Sequence, residues 1–490
     1  MAYYPTQEEI RIVKQQSKDV FIKVELLNKQ FKILDSIEGH LISDNLNVTS
    51  ESKQRRTYSA DFYVQDKSLL IGKDRKVWID KYLRVYYGIK SRRTGEVKYW
   101  LVGTFAYSDV SYSYGAVEST VSLSCVDLMS VYDGTLGGEI QGYSLKIPSG
   151  EDIRKSVIAL LKDAGITNYN VEDIKKEIPY DLEFNDTTTY CDVWTKICEL
   201  YDSWEFFFDI DGTFIWRQIP TGLSEPVMFD DTMLDDIWID EKTSSSFSGI
   251  YNVTEVWGKV LELELEDRYS DSSTYSNNVY SISLEDVKSL EDIDHLDRIA
   301  IKICANCEDN PTVSINGLGA IPIVGDDAQP IKAGTLKANK DYVFSYRRNM
   351  GDQIQNCLYL YGQYQAYGIY KETNPECPFS ITSLGYEIVH RVNYENLYSD
   401  DLCYNQAEYL TYQTTAMLDT ITLNCILIPW LDVNQKIKYT SKMTGETGQY
   451  IIKNFSWSTL DGTMSLTLYK FLESFSYVYN KKNETQTRNR

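Results

Sequence analysis

Between Val20 and Asp127 the chain alternates apolar and polar positions in short runs. Leu83, Val85, Tyr87 and Ile89 stand at every second position, as do Val121, Leu123 and Cys125. A period of two, broken by clusters of Gly, Ser and Asp such as Ser91–Gly95, predicts half-buried antiparallel strands. The runs recur about every ten residues, the spacing of a small barrel or sandwich. Ahead of them, Gln7 to Lys18 predicts one short polar helix with a poor apolar face. Such a helix is an arm that packs on a neighbour or stays mobile. The strands are expected to close a first barrel near Gly138.

After Pro148 the period lengthens. Ile153, Val157, Ile158, Leu161 and Ala164 share one helical face, Ser149 and Asp152 lie at capping-box spacing, and Gly165 supplies a stop. A second helix is expected from Thr189 to Tyr201, turning Val193, Trp194, Ile197, Leu200 and Tyr201 inward. It leads into a hairpin with its turn at Asp209–Gly212. Two helices and a hairpin make a small α+β domain that ends near Pro220.

Strand-like runs return from Met228 to Glu266. Arg268–Asn278 is rich in Ser, Asn, Asp and Tyr and poor in apolar residues, which predicts a linker. The acidic run from Ser283 to Asp297 reads as a solvated face or a helix end. Further on, Asn316-Gly317 and Gly319 suit positive-φ turns, and Asp341–Tyr346 reads as a strand. A helix capped at Ser399–Asp401 carries Cys403, Ala407, Leu410, Thr414 and Met417 on one face. Strict alternation at Ile437–Tyr439, Tyr450–Ile452 and Leu466–Tyr469 predicts a second small barrel. From Tyr477 the sequence is a polar tail.

Composition narrows the function classes. At 490 residues and 43% apolar content, the chain has room for two to four globular domains. Its 39 tyrosines suit sheet surfaces and interfaces. A formal charge of −22, from 71 acidic and 49 basic residues, argues against binding a phosphate backbone. The same charge suits a surface past which nucleic acid slides, or simply a soluble acidic protein. The first residues lack the apolar core of a signal peptide, and no window approaches the length of a membrane span. Nine irregularly spaced cysteines read as reduced core residues of a protein made in the cytoplasm.

Candidate chemistry is sparse. Asp209-Ile210-Asp211-Gly212 starts like a calcium loop, but Phe214, Ile215 and Trp216 stand where further oxygen ligands are required. Cys304, Cys307, Cys357 and Cys377 can be drawn as four zinc ligands. However, residues three apart on a strand point to opposite faces. His40, His295 and His390 lie far apart and outside any hydrolase motif. No catalytic, cofactor-binding or metal-ligating residue is assigned, and no cofactor is expected.

The stretch from Leu83 to Gly134, RVYYGI…WLVGTF…VSLSCVDLMSVYDG, resembles the first β-barrel of the tail-hub or baseplate-hub proteins of long-tailed bacteriophages and related injection machines. Asn45 to Val64, NLNVTSESKQRRTYSADFYV, looks like that family's opening hairpin. Pro429-Trp430-Leu431 fits the passage that precedes the family's second barrel. Ile299 to Asn349, marked by NGLGAIPI, Ala333-Gly334 and DYVFSY, resembles a β-rich module of phage tail and tail-fibre proteins. The fold these likenesses imply is α+β and mainly β: two small β-barrel domains flanking a small α/β domain, plus an inserted β-sandwich-like module. The implied division is 1–138 for the arm and first barrel, 139–220 for the α+β domain, and 221–268 for a returning β segment. Next come the inserted module at 269–376, the helix and second barrel at 377–476, and the tail at 477–490.

The resemblance implies a non-enzymatic virion protein at the tail tip or baseplate. It implies a homotrimer whose six barrels adapt a hexameric tail tube to a threefold tip and enclose the genome-exit channel. Expected partners are tail tube and distal tail proteins, the tape-measure protein, and tip, spike or fibre proteins, with host glycan as a contact of the inserted module. Neither specific nucleic-acid binding nor a membrane span is expected. The competing readings are a receptor- or carbohydrate-binding tail protein and a tail-associated cell-wall hydrolase.

Overall fold

The computed structural model describes residues 3–37, 41–63, 70–115, 119–140, 145–185, 187–201, 204–219, 227–228, 230, 233, 235–244, 247–260, 268–325, 328–348, 356–363, 365–416 and 420–471. His40, Met417 and the tail from Tyr477 therefore lie outside the described residues. The chain opens with helix α1 (Gln7–Val13) and strands β1 (Val20–Asn28), β2 (Ile33–Ile37), β3 (Leu41–Thr49) and β4 (Arg56–Tyr63). β5 (Lys81–Lys90), β6 (Val97–Tyr114) and β7 (Ser119–Asp127) follow. A mixed unit contains β8 (Leu145–Ile147), α2 (Ile153–Asp163), β9 (Tyr169–Val171), β10 (Leu182–Phe184), α3 (Tyr190–Cys198), β11 (Trp204–Phe208) and β12 (Phe214–Gln218). After β13 (Trp238–Ser244) and β14 (Val253–Val260) come β15 (Arg268–Ser270), β16 (Thr274–Ser276), β17 (Val279–Ile282) and β18 (Arg298–Ile303). β19 (Thr312–Ile315), β20 (Ala320–Val324), β21 (Lys340–Arg348), β22 (Asn356–Gln363) and β23 (Gln365–Lys371) continue the run. The last elements are α4 (Ile381–Leu384), β24 (Val389–Asn393), α5 (Asp400–Ala416), β25 (Thr420–Ile426), β26 (Lys436–Thr440), β27 (Thr447–Ser458) and β28 (Thr463–Phe471).

The chain is mainly β. Its largest sheet has twelve strands in the order β13-β25-β28-β27-β3-β4-β7-β6-β5-β1-β2, with β26 paired to β27. Strands from both ends of the sequence therefore share one sheet, and the two barrels expected from the sequence are not separate. The joint is antiparallel: Thr49 faces Asn454, and Leu46 faces Trp457. Leu46, Val48 and Leu83 from the N-terminal strands sit in one buried cluster with Leu423, Ile437 and Ile452 from the C-terminal ones. Alternation alone cannot reveal this, because it gives the buried face of each strand but not its neighbour.

α1 is shorter than expected and is not an arm. It stops at Val13, and Ile12 and Val13 enter the cluster of the large sheet. The polar run from Lys14 offers no further apolar face, and Gln15 instead bonds Lys90 O at 3.0 Å. Glu9 is buried and accepts from Thr6 N at 2.7 Å, Tyr3 Oη at 2.5 Å and Trp100 Nε1 at 3.2 Å. Burial pushes its carboxyl up, but the bonds from Tyr3 and Thr6 and Lys98 Nζ at 3.0 Å outweigh it and hold the pKa at about 2.

In the mixed unit, Asp152 caps α2 through Lys155 N, so Ser149 is not the cap. Thr189 and Asp192 form a reciprocal capping box on α3, which runs only to Cys198. Trp194 is fully buried and packs on Phe206 and Phe214, with Phe206 stacked on Trp216. The β11–β12 hairpin turns where expected, with Gly212 at φ +86° and its N bonded to Asp209 O at 2.9 Å.

An eight-stranded sheet, β15-β18-β21-β22-β20-β19-β17-β16, contains the stretch that resembles the tail module. Arg268–Asn278 is no linker: β15 runs parallel to β18, and β16 pairs with β17. Tyr275 packs on buried Tyr280 with ring centroids 4.4 Å apart, and Arg268 is ion-paired with Asp286 at 2.7 Å and with Asp297. The acidic run thus folds around an arginine that its composition did not reveal. Residues 365–371, expected within the insertion, belong instead to a three-stranded sheet, β23-β14-β24. α5 lies on that sheet through Cys403, Ala407, Thr411 and Thr415, all fully buried. A Cβ on Gly368 would meet the backbone of Cys403–Tyr404 at 2.1–2.6 Å, so this close approach requires glycine.

Candidate assembly surfaces

The residues singled out for chemistry do not converge. Cys304 is exposed after β18, whereas Cys307, Cys357 and Cys377 are buried in three different clusters. Cys307 Sγ donates to Lys332 O and accepts from Leu336 N, both at 3.3 Å. His295 Nδ1 accepts from Arg348 N at 3.0 Å, and His390 stacks on Tyr251 at 4.4 Å. The Asp209–Gly212 turn is a docking point: Thr104 Oγ1 bonds Ile210 O at 2.8 Å and an Arg84 Nη bonds Asp211 O at 2.9 Å. Among the described residues no group of three or more His, Cys, Asp or Glu is placed to hold a metal. Among them, too, no helix is long and apolar enough to cross a membrane, which says nothing of membrane-crossing strands.

What the fold does assemble is a charged joint between its units. Glu205 on β11 is buried and accepts from Arg55, from Arg217 Nε at 2.8 Å and from Asn434 Nδ2 at 3.4 Å. Arg56 is buried beside it, donating to Phe208 O at 3.0 Å and to Asp432 at 2.6 Å. Arg55 also lies over the Phe207 ring at 3.6 Å. One cluster thus ties the start of β4, the β11–β12 hairpin and the loop before β26. A buried charge persists only when paired, so these groups fix the register of three segments far apart in sequence. A second tie is Asp44 on β3, which accepts from Thr459 N at 2.8 Å and Tyr58 Oη at 3.2 Å. Burial raises its carboxyl above the usual range, against the pull of those bonds.

Two surfaces at the ends of the twelve-strand order differ in charge. β2 carries exposed Ile33 and Leu34, and the loop 71–81 lies along it, with Lys76 Nζ bonded to Ser36 O at 2.8 Å and ion-paired with Asp35 at 3.1 Å. Ile71 and Ile79 are exposed on that loop. At the other end, β13 exposes Ile239, and its Glu241 grips the β26–β27 turn. Glu241 accepts from Tyr439 Oη, from Ser441 Oγ at 2.7 Å and from Met443 N at 2.8 Å. Burial alone would raise the Glu241 carboxyl; these bonds lower it below the ordinary range. Met443 is exposed beside this grip.

Sequence reading missed Glu205, Arg55, Arg56 and Glu241. The adjacent pair Arg55-Arg56 at the start of a strand was the available signal, since two charges entering a strand both need partners. Their partners lie more than a hundred residues away, and no pattern reports that.

A family model described as a domain of unknown function, DUF5048, matches residues 376–475. No curated protein matches the chain in sequence. In structure the chain is similar to phage tail and baseplate proteins. One is the 43 kDa tail protein of prophage MuSo2 from Shewanella oneidensis, at 9% identity and a TM-score of 0.48, over 91% of this chain and 98% of that one. Another is a tail protein from Neisseria meningitidis MC58, at 9% identity and a TM-score of 0.48, over 93% and 97% of the two chains. A third is prophage tail protein gp18 from Listeria monocytogenes EGD-e, at 8% identity and a TM-score of 0.44, over 96% and 98%. No residue role is carried across at these identities.

Proposed function

We propose that the chain is a structural tail-hub protein at the tip or baseplate of a long-tailed phage, working as a homotrimer without catalysis. The observation that carries this reading is the shared sheet. The segments that resemble the hub family's first barrel, 45–64 and 83–134, contribute β3 to β7, and the segments expected of its second barrel continue the same sheet. In this reading the two halves of the sheet are the two hub barrels, joined at β3 and β27. Three chains then supply six similar halves to a ring that meets a hexameric tube on one side and a threefold tip on the other. The division into 1–138, 139–220, 221–268, 269–376, 377–476 and 477–490 belongs to this reading, with the inserted module taken as 268–363.

The net charge of −22 supports a channel wall that lets nucleic acid pass without binding it. Tail tube, distal tail, tape-measure and spike or fibre proteins are the partners of this reading, and the eight-stranded unit is the contact for other tip proteins or glycan. Gold-labelled antibody against the chain, applied to intact phage particles, tests it. Label confined to the free end of the tail supports the hub role. Label on the head, or particles without label after exposure of the tail tip, overturns it.

A further inference from the structure

The surfaces at the two ends of the twelve-strand order are complementary in charge and alike in exposed apolar groups. Residues 29–37 and 71–81, around β2, hold six basic side chains against three acidic ones. Residues 235–244 and 440–446, around β13 and the turn gripped by Glu241, hold five acidic against two basic. Asp236 pairs with Lys14 at 2.7 Å, Asp235 pairs with Lys442, and Glu241 is held by the β26–β27 turn. Asp240 accepts from the neutral amide of Asn424 at 2.7 Å, so its charge stays on that surface. Each surface also exposes large apolar groups: Ile33 at 54%, Leu34 at 52% and Ile79 at 67% on the basic one, Ile239 at 42% and Met443 at 68% on the acidic one. Exposed apolar groups rimmed by charge mark a contact surface.

We propose that a second copy of this chain occupies the basic β2 surface, placing its acidic β13 surface there in a head-to-tail contact. Two copies that each carry −22 repel one another on most approaches. A basic patch facing an acidic patch is the orientation that escapes this repulsion. An isologous contact built on either surface alone would set like against like, basic on basic or acidic on acidic, which costs affinity. Unlike surfaces therefore select a heterologous contact, and a heterologous contact repeated between copies closes a ring or runs on as a filament. The inference rests on the ring reading above and adds to it which surfaces meet.

The test uses the full chain with Cys304→Ser, which removes the exposed thiol. One preparation carries Leu34→Cys and another Ile239→Cys. Mixed and oxidised, they should give a cross-linked pair, while either alone gives none. Lys32→Glu with Arg75→Glu should weaken association at least about tenfold at low salt. Asp235→Lys with Asp240→Lys should do the same, and mixing the two charge-reversed proteins should restore it. Circular dichroism confirms that each variant is folded. Association that persists through both reversals, with cross-links within one variant, overturns the inference and leaves the ring reading standing. A chain that neither associates nor cross-links also overturns it, and antibody labelling of the tail still decides the hub role by itself.

Discussion

Replacing Glu205 by Gln removes one carboxylate and leaves two guanidiniums in the joint with poorer partners. Arg55 is 4% exposed and Arg217 26%, so water reaches the second far better than the first. Removing one member of a buried pair costs roughly 3–5 kcal/mol, and relief at Arg217 favours the lower end, about 3 kcal/mol. That is about two orders of magnitude in the equilibrium for opening the joint. The remaining contact of Arg55 with Phe207, at 3.6 Å, does not replace a carboxylate. Hydrogen exchange is the suitable assay, because a chain with several sheets need not unfold in one step. Faster exchange is expected in β11, β12 and residues 432–434, with β18 to β22 unaffected. The triple change Glu205→Leu, Arg55→Met, Arg217→Leu should recover most of the loss, since an apolar joint needs no partner. If Glu205→Gln changes exchange less than about fivefold, or the triple variant is worse than the single, the joint is not held by charge pairing.

Other perturbations follow from the same geometry. Gly368→Ala should force α5 off its sheet and cost about 3 kcal/mol or more, seen as a lowered first thermal transition, whereas Gly165→Ala, which meets no atom, should cost only the strain of its positive φ. Glu9, held at about 2 against an ordinary 4.5, contributes stability that is complete above the ordinary value and fades as pH falls toward 2. Glu9→Gln should flatten that acid slope in urea melts between about pH 5 and pH 2, and an unchanged slope would show that Glu9 is not its source. Asp44 is shifted the other way, so its contribution is present at low pH and is lost as pH rises through the raised value. Asp44→Asn should therefore be neutral or stabilising at neutral pH, while Asp44→Ala, leaving Thr459 N and Oγ1 unpaired, should cost about 2 kcal/mol by chemical denaturation.

How much of this was legible in the sequence depends on the range of each interaction. Strands β5, β6 and β7 and the β11–β12 hairpin follow from alternation and turn residues, which are local signals. The cap of Thr189 by Asp192 is within reach of such signals, since its bond spans three residues, and the expected helix start at Thr189 could be read. The pairing of β3 with β27 could not, since its partners are some four hundred residues apart. Arg268–Asn278 looked like a linker because Ser and Asn dominate it. Its order comes from Arg268, Tyr269 and Tyr275, whose partners lie across two strands and an acidic loop. α1 looked polar because its most important residue is a buried carboxylate, which composition counts as surface. The joint at Glu205 was hidden for the same two reasons, distance along the chain and a buried charge.

The ring is tested by the mass of the purified chain in solution, followed by averaged images of the particles. A species of three times 56.5 kDa with threefold symmetry and a central opening is expected, dissociating as salt is raised. A monomer at every concentration and salt level, or a twofold dimer with no opening, would contradict it.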